Sequence, residues 1–108
     1  MSEGRIRVCS LEDLAEGLPS RFEVAGAVLC LVRLGDRVYA LEDRCSHEDV
    51  PLSEGEVDVD ERQIECPRHG SRFDLVDGTP LSLPAVRPVR TFFVEVEGKD
   101  VFVMVEAD

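Results

Sequence analysis

The sequence predicts an all-β fold: short antiparallel strands in a sandwich or barrel-like packing, with a loop-rich section set between two hairpin-bearing halves. Three observations predict it. Apolar runs of strand length recur with turn signals between them. Gly35-Asp36 and Gly98-Lys99-Asp100 each join two such runs, which makes two β-hairpins. Pro80, Pro84 and Pro88 break any helix in the stretch they occupy and keep it extended.

Taken in order, Ile6, Val8 and Cys9 suggest a first strand, Ile6 and Val8 alternating with polar residues. Ser10-Leu11-Glu12-Asp13 reads as a helix start, a hydroxyl N-cap followed by an acidic residue three places on. Gly17 and Pro19 stop it within two turns. Phe22 and Val24 fit a strand. Val28 to Leu34 is apolar throughout except for Arg33, as a buried strand would be, and Arg37 to Glu42 returns beside it. Cys45 to Pro51 lacks periodicity and reads as a loop. Arg62 to Glu65 predicts a short strand entering Cys66, His69 to Asp74 reads as loop again, and Asp77-Gly78 as a turn. Thr91 to Glu97 and Val101 to Val105 form the second hairpin. No internal repeat, low-complexity tract or linker interrupts the chain, so the expectation is a single domain over residues 1–108, with its functional section at about residues 43–75.

Composition narrows the function. With 108 residues and 44 % hydrophobic content the chain suits one compact core. No apolar run reaches the roughly 20 residues that span a bilayer, and Met1 to Arg5 has no signal-peptide character. The expected location is the cytoplasm. The net charge of −11 disfavours nucleic acid and anionic membrane surfaces. It suits steering toward a basic patch on a protein partner, or serves only solubility.

The informative feature is Cys45-Ser46-His47, then residues 48–65, then Cys66-Pro67-Arg68-His69. Thiolates are soft ligands and imidazoles borderline ones, so two Cys-plus-His pairs on two loops offer four metal donors of two kinds. A Rieske centre needs this set, with two thiolates on one iron and two imidazoles on the other. A Cys2His2 zinc site uses the same residue types, although zinc fingers usually pair like with like and carry their histidines on a helix. Buried free cysteines beside ordinary surface histidines are the third reading, but they leave unexplained why both histidines of the chain fall beside a cysteine. Cys9 and Cys30 lie on predicted strands away from any histidine and read as core.

From these residues the chain is similar to the Rieske family, whose two loops run Cys-x-His and Cys-x-x-His. The resemblance continues through Pro51-Leu52-Ser53-Glu54-Gly55, Gly70-Ser71-Arg72-Phe73-Asp74, Asp77-Gly78 and Leu83-Pro84, and so covers roughly Tyr39 to Val96. It implies a Rieske-like antiparallel β-sandwich with a cluster-binding subdomain. One [2Fe–2S] cluster is held by Cys45, His47, Cys66 and His69. Ser71, Phe73 and Pro84 tune it, the last within the loop that covers the cluster.

The resemblance also implies where the potential lies. Rieske centres span roughly −150 to +300 mV. High-potential relatives carry an additional disulfide between the loops, and this chain has no further loop cysteine. Glu48 and Asp49 add negative charge beside His47, opposed by Arg68 and Arg72. Ser71 stands where a serine donates to a bridging sulfide, and Phe73 where a tyrosine would supply a second hydrogen bond. A potential in the lower half of the range follows, rising in pH dependence at alkaline pH as the histidine rings titrate.

The expected role is that of a monomeric one-electron carrier, not itself an enzyme. There is no 2-His-1-carboxylate set for a mononuclear iron and no Gly-rich phosphate cradle for a flavin or nicotinamide. The expected partners are a flavin-containing ferredoxin reductase and a non-haem iron oxygenase or other terminal acceptor. Within the same family, a nitrite reductase subunit or a ferredoxin of iron–sulfur cluster assembly is the alternative.

Overall fold

The computed structural model describes residues 3–46, 49–68, 70–83 and 85–106. Its described strands are β1 (Glu3–Ser10), β2 (Pro19–Val24), β3 (Ala27–Leu34), β4 (Arg37–Glu42), β5 (Glu56–Asp58), β6 (Gln63–Glu65), β7 (Arg72–Asp74), β8 (Thr91–Glu97) and β9 (Asp100–Glu106). Six of them make one curled antiparallel sheet in the order β1-β9-β8-β4-β3-β2, and β5-β6-β7 make a second, smaller one. The all-β antiparallel prediction and both hairpins are borne out. No helix among the described residues is long and apolar enough to cross a membrane.

The central strand explains its own composition. Along β3, Leu29 and Leu31 enter one apolar cluster with Leu14, Val38, Ala40, Val101 and Val103, while Cys30 and Val32 enter another with Leu41, Ile64, Phe73 and both loop cysteines. Side chains alternate across a strand, so a run buried on both faces must be apolar at every position. The β3–β4 hairpin is thus a wall shared by two cores, one of the large sheet and one under the cysteine loops.

The helix expected after Ser10 is a single 3-10 turn, Leu11–Asp13. Asp13 accepts the Ser10 backbone N–H at 2.9 Å, so the capping chemistry is present, but Gly17 (φ +78°) turns the chain before a second turn can form. The stretch from His69 to Asp74, read as loop, contains β7. Val57, Ile64 and Phe73 stand opposite one another across the small sheet and all pack into the core under the loops. Strands of three residues are too short to display a period, which is why β5 and β7 are not apparent from the pattern. A bulge between Arg7 and Cys9 shifts the β1–β9 register, so that Cys9 pairs with Val101 and turns inward, away from the side taken by Arg5 and Arg7.

β2 and β3 are joined by Ala25-Gly26, with φ of 51° and 84°. Two left-handed residues make a type I′ turn, which suits Asn-Gly better than Ala-Gly. Ala25→Asn is therefore expected to raise stability by about 0.5–1 kcal/mol, read as a higher urea midpoint with an unchanged slope. A midpoint at or below that of the parent would contradict it.

Candidate metal centre

The first loop leaves the end of β4. Its base is tied by Asp43, whose side chain is fully buried. One Asp43 carboxylate oxygen accepts the Ser53 backbone N–H at 2.7 Å and the other accepts the Ser53 hydroxyl at 2.6 Å, while Arg21 lies 3.6 Å away on β2. Asp43 itself donates its N–H to Val28 O at 2.9 Å. Cys45 N–H donates to Val50 O at 2.9 Å and closes the loop on itself. Removing the carboxylate strands two donors and half-exposed Arg21. Asp43→Ala is expected to cost about 3 kcal/mol, measured by urea unfolding, whereas a loss below about 1 kcal/mol would mean the clamp is only a surface pair.

The second loop is the tip of the β6–β7 hairpin. Cys66 N–H donates to Ser71 O at 2.8 Å, and Gly70 N–H donates back to Cys66 O at 3.2 Å. The return requires Gly70 at φ +76°, a conformation glycine adopts without steric cost. Cys45 and Cys66 are not disulfide-bonded, each is 1 % exposed, and both belong to the apolar cluster that includes Leu52, Ile64, Phe73 and Leu75. His47, His69 and Pro84, as well as Glu48, lie outside the described residues.

A strap, described at residues 80–83 and 85–89, crosses beside both loops. Phe73 bridges to Pro80, and Leu81 N–H donates to Arg72 O at 2.7 Å. Ala85 N–H donates to Ser71 Oγ at 3.1 Å. Ser71 is buried, and having accepted that bond it keeps its own proton to donate. Phe73 is fully buried with no polar atom to offer. Glu54, Glu56 and Glu65 line a groove with Cys66 and Pro67, and Asp49 and Arg68 line its continuation. The charge around the second cysteine is therefore mainly negative.

The other two cysteines behave as core. Burial pushes the Cys30 thiol up, with the Asp43 carboxylate adding to it. Burial and then Asp13 push Cys9 up. Both stay protonated thiols, a form that does not bind metal. The Asp43–Ser53 clamp and the hydrogen bond that the Ser46 hydroxyl donates to Arg87 O on the strap, at 2.6 Å, are what sequence reasoning missed. The only signal was an acid and hydroxyls inside loops, a pattern shared by many surface turns.

Residues 4–93 match the Rieske [2Fe–2S] domain family. The chain belongs to that family. This Rieske domain is 40 % identical over 99 residues to the 3-phenylpropionate/cinnamic acid dioxygenase ferredoxin subunit of Shigella boydii serotype 4 (strain Sb227), covering 92 % of each chain. It superposes on the ferredoxin of carbazole 1,9a-dioxygenase from Nocardioides aromaticivorans IC177 with a TM-score of 0.89 and 41 % identity, over 92 % of this chain and 95 % of that one. A structure of the complex of reduced oxygenase and oxidized ferredoxin in carbazole 1,9a-dioxygenase gives a TM-score of 0.84 at 40 % identity, over 92 % and 91 %. The Rieske domain's cofactor is one [2Fe–2S] cluster, and the donor chemistry fits it. Two cysteines outside any disulfide, one from each loop, share one buried apolar cluster, and the buried Ser71 hydroxyl, which accepts from the strap, keeps a proton to give.

Proposed function

We propose that Cys45, His47, Cys66 and His69 hold the cluster, and that the chain carries single electrons from a flavin-containing reductase to a terminal non-haem iron oxygenase. The single observation that carries this reading is the pair of buried cysteines, Cys45 and Cys66, neither of them in a disulfide. They are brought into one buried cluster from two loops, and each is followed within three residues by a histidine. The family match and the dioxygenase ferredoxins at about 40 % identity support the electron-carrier role. The oxygenase as acceptor is supported by the relative captured with its oxygenase. Residues 1–108 act as one domain, with the cluster section at about 43–75, since the loops and the β3–β4 wall share a core. The cytoplasm is the proposed location, where four cysteines outside any disulfide stay reduced.

When bound, the cluster supplies a one-electron couple. The chain's own residues do the rest. The apolar cluster of Leu52, Ile64, Phe73 and Leu75 excludes water from the thiolates. Ser71 offers a hydroxyl proton, and the carboxylates of Glu54, Glu56 and Glu65 disfavour added negative charge. The midpoint potential therefore falls in the lower half of the family's range, and a value above about +150 mV would overturn that. Ser71→Ala is expected to lower it by on the order of 60 mV, the one-electron equivalent of a hydrogen bond worth about 1.4 kcal/mol. Film voltammetry of the two proteins reads the difference.

The assignment itself is tested by electron paramagnetic resonance of the dithionite-reduced protein. A reduced [2Fe–2S] signal with nitrogen couplings from two imidazoles is expected. A colourless, silent sample would favour zinc and reject the reading. Mixing the reduced protein with the oxygenase component of an aromatic-ring dioxygenase should reoxidise it.

A further inference from the structure

We infer that Ser46, the residue between two of the proposed ligands, is the latch that couples the first cysteine loop to the strap. Its hydroxyl donates to Arg87 O at 2.6 Å, a direct link between that loop and the strap. The second loop holds the same strap from its other side, through Ala85 N–H on Ser71 Oγ and Arg72 N–H on Ser82 Oγ at 2.9 Å. Three serine hydroxyls, one from the first loop, one from the second and one from the strap, thus add to the backbone bonds of Leu81 and Val89 in fastening a segment that buries little apolar surface. Leu83 and Val86 are 77 % and 73 % exposed, and among the described residues of the strap Ala85 and Val89 are the buried ones.

The arrangement has a direction. Ser71 and Ser82 use their oxygens as acceptors for backbone N–H groups of the strap and of β7. Ser82 also donates its hydroxyl back to Gly70 O at 3.5 Å, whereas the Ser46 hydroxyl donates at 2.6 Å to an acceptor that lies beyond Ala85 on the strap. Freeing Ser46 loosens the Val86–Arg87 stretch, which runs between Ala85, whose N–H is held by the Ser71 hydroxyl, and Val89, whose N–H donates to Gly78 O at 2.9 Å. Loosening there admits water beside the two cysteine loops. Ser46 is in this sense a positioning residue, acting on the cluster through the strap.

This rests on the proposed cluster site for its redox consequence, but not for the latch itself. The test uses the cluster-loaded full chain as parent, Ser46→Ala and Ser46→Thr. Hydrogen exchange of the peptide covering residues 80–90 is followed by mass spectrometry, together with midpoint potential and bleaching of the visible absorption under chelator. In Ser46→Ala, exchange of that peptide should accelerate about fivefold, the factor a lost neutral hydrogen bond corresponds to. Bleaching should quicken and the potential should move upward, because water stabilises the more negative reduced state. Ser46→Thr, which keeps the hydroxyl, should restore all three. Parent-like exchange in Ser46→Ala, or a Ser46→Thr variant that fails to restore it, would overturn the latch. If Ser46→Ala assembles no cluster, its metal-free form compared with metal-free parent still reads the exchange. Altered exchange with no Rieske signal in the parent would reject the cluster site and leave the latch standing.

Discussion

Cys66→Ala, purified beside the parent, is expected to be colourless and to hold less than about a tenth of the parent's iron and acid-labile sulfide. Two thiolates are all the chain offers to one of the irons in a Rieske centre, so losing one leaves three donors and an open coordination site in a cavity built to be dry. Cys45→Ala should do the same. Cys30→Ala is the decisive contrast. Cys30 is at least as buried as Cys66 and sits in the same apolar cluster, so burial or packing alone predicts the same outcome for both. Its thiol is pushed up by burial and Asp43 and stays protonated, and it lies on a strand rather than a loop tip. It should keep full iron content and cost only about 1 kcal/mol for the small cavity left behind. Iron retained in Cys66→Ala and lost in Cys30→Ala would reverse the assignment.

The contrast shows what the sequence made legible. The cysteines of the loops stood out because each has a histidine within three residues, and Cys9 and Cys30 because they have none. That distinction is chemical and local, so it survives without coordinates. The two long hairpins were equally plain, since β3–β4 and β8–β9 carry enough alternating or continuous apolar residues to set a period. Of the small sheet only β6 was legible, as the short strand entering Cys66; β5 and β7 were not, because strands of three residues each contribute a single inward side chain, Val57 and Phe73 on either side of Ile64. Nor were the partners of Asp43, Ser46 and Ser71. Polar residues in loops look alike until the fold brings Ser53 to Asp43 across ten positions, or Arg87 to Ser46 across forty-one. The pattern pointed to candidate donors and to strands; the clamps that fix the two loops are long-range and needed the fold.

One glycine joins these long-range connections to the site, and its substitution carries the second large effect. Gly78 has φ +76°, and a Cβ built there would stand inside the van der Waals envelope of the Val89 carbonyl oxygen. Its N–H donates to Asp74 O at 2.8 Å at the end of β7, and its carbonyl accepts Val89 N–H at 2.9 Å at the far end of the strap. Neither neighbour is a flexible side chain that can step aside. Gly78→Ala therefore combines left-handed strain with a backbone collision and should cost about 3 kcal/mol or more. That is a lowering of the thermal midpoint by more than about 10 °C in a domain of this size. Gly98→Ala is the control, since Gly98 shares the left-handed conformation (φ +60°) but has open space around its Cα, and it should lose only the strain, about 1 kcal/mol. The collision also pushes Val89 away from β7, which lifts the C-terminal anchor of the strap while Pro80 stays bridged to Phe73. Gly78→Ala should consequently bleach faster under chelator even at temperatures where it remains folded, and Gly98→Ala, on a distant hairpin, should not. Equal bleaching of the two variants at matched folded fraction would show that the strap's anchor at Val89 has no part in shielding the site.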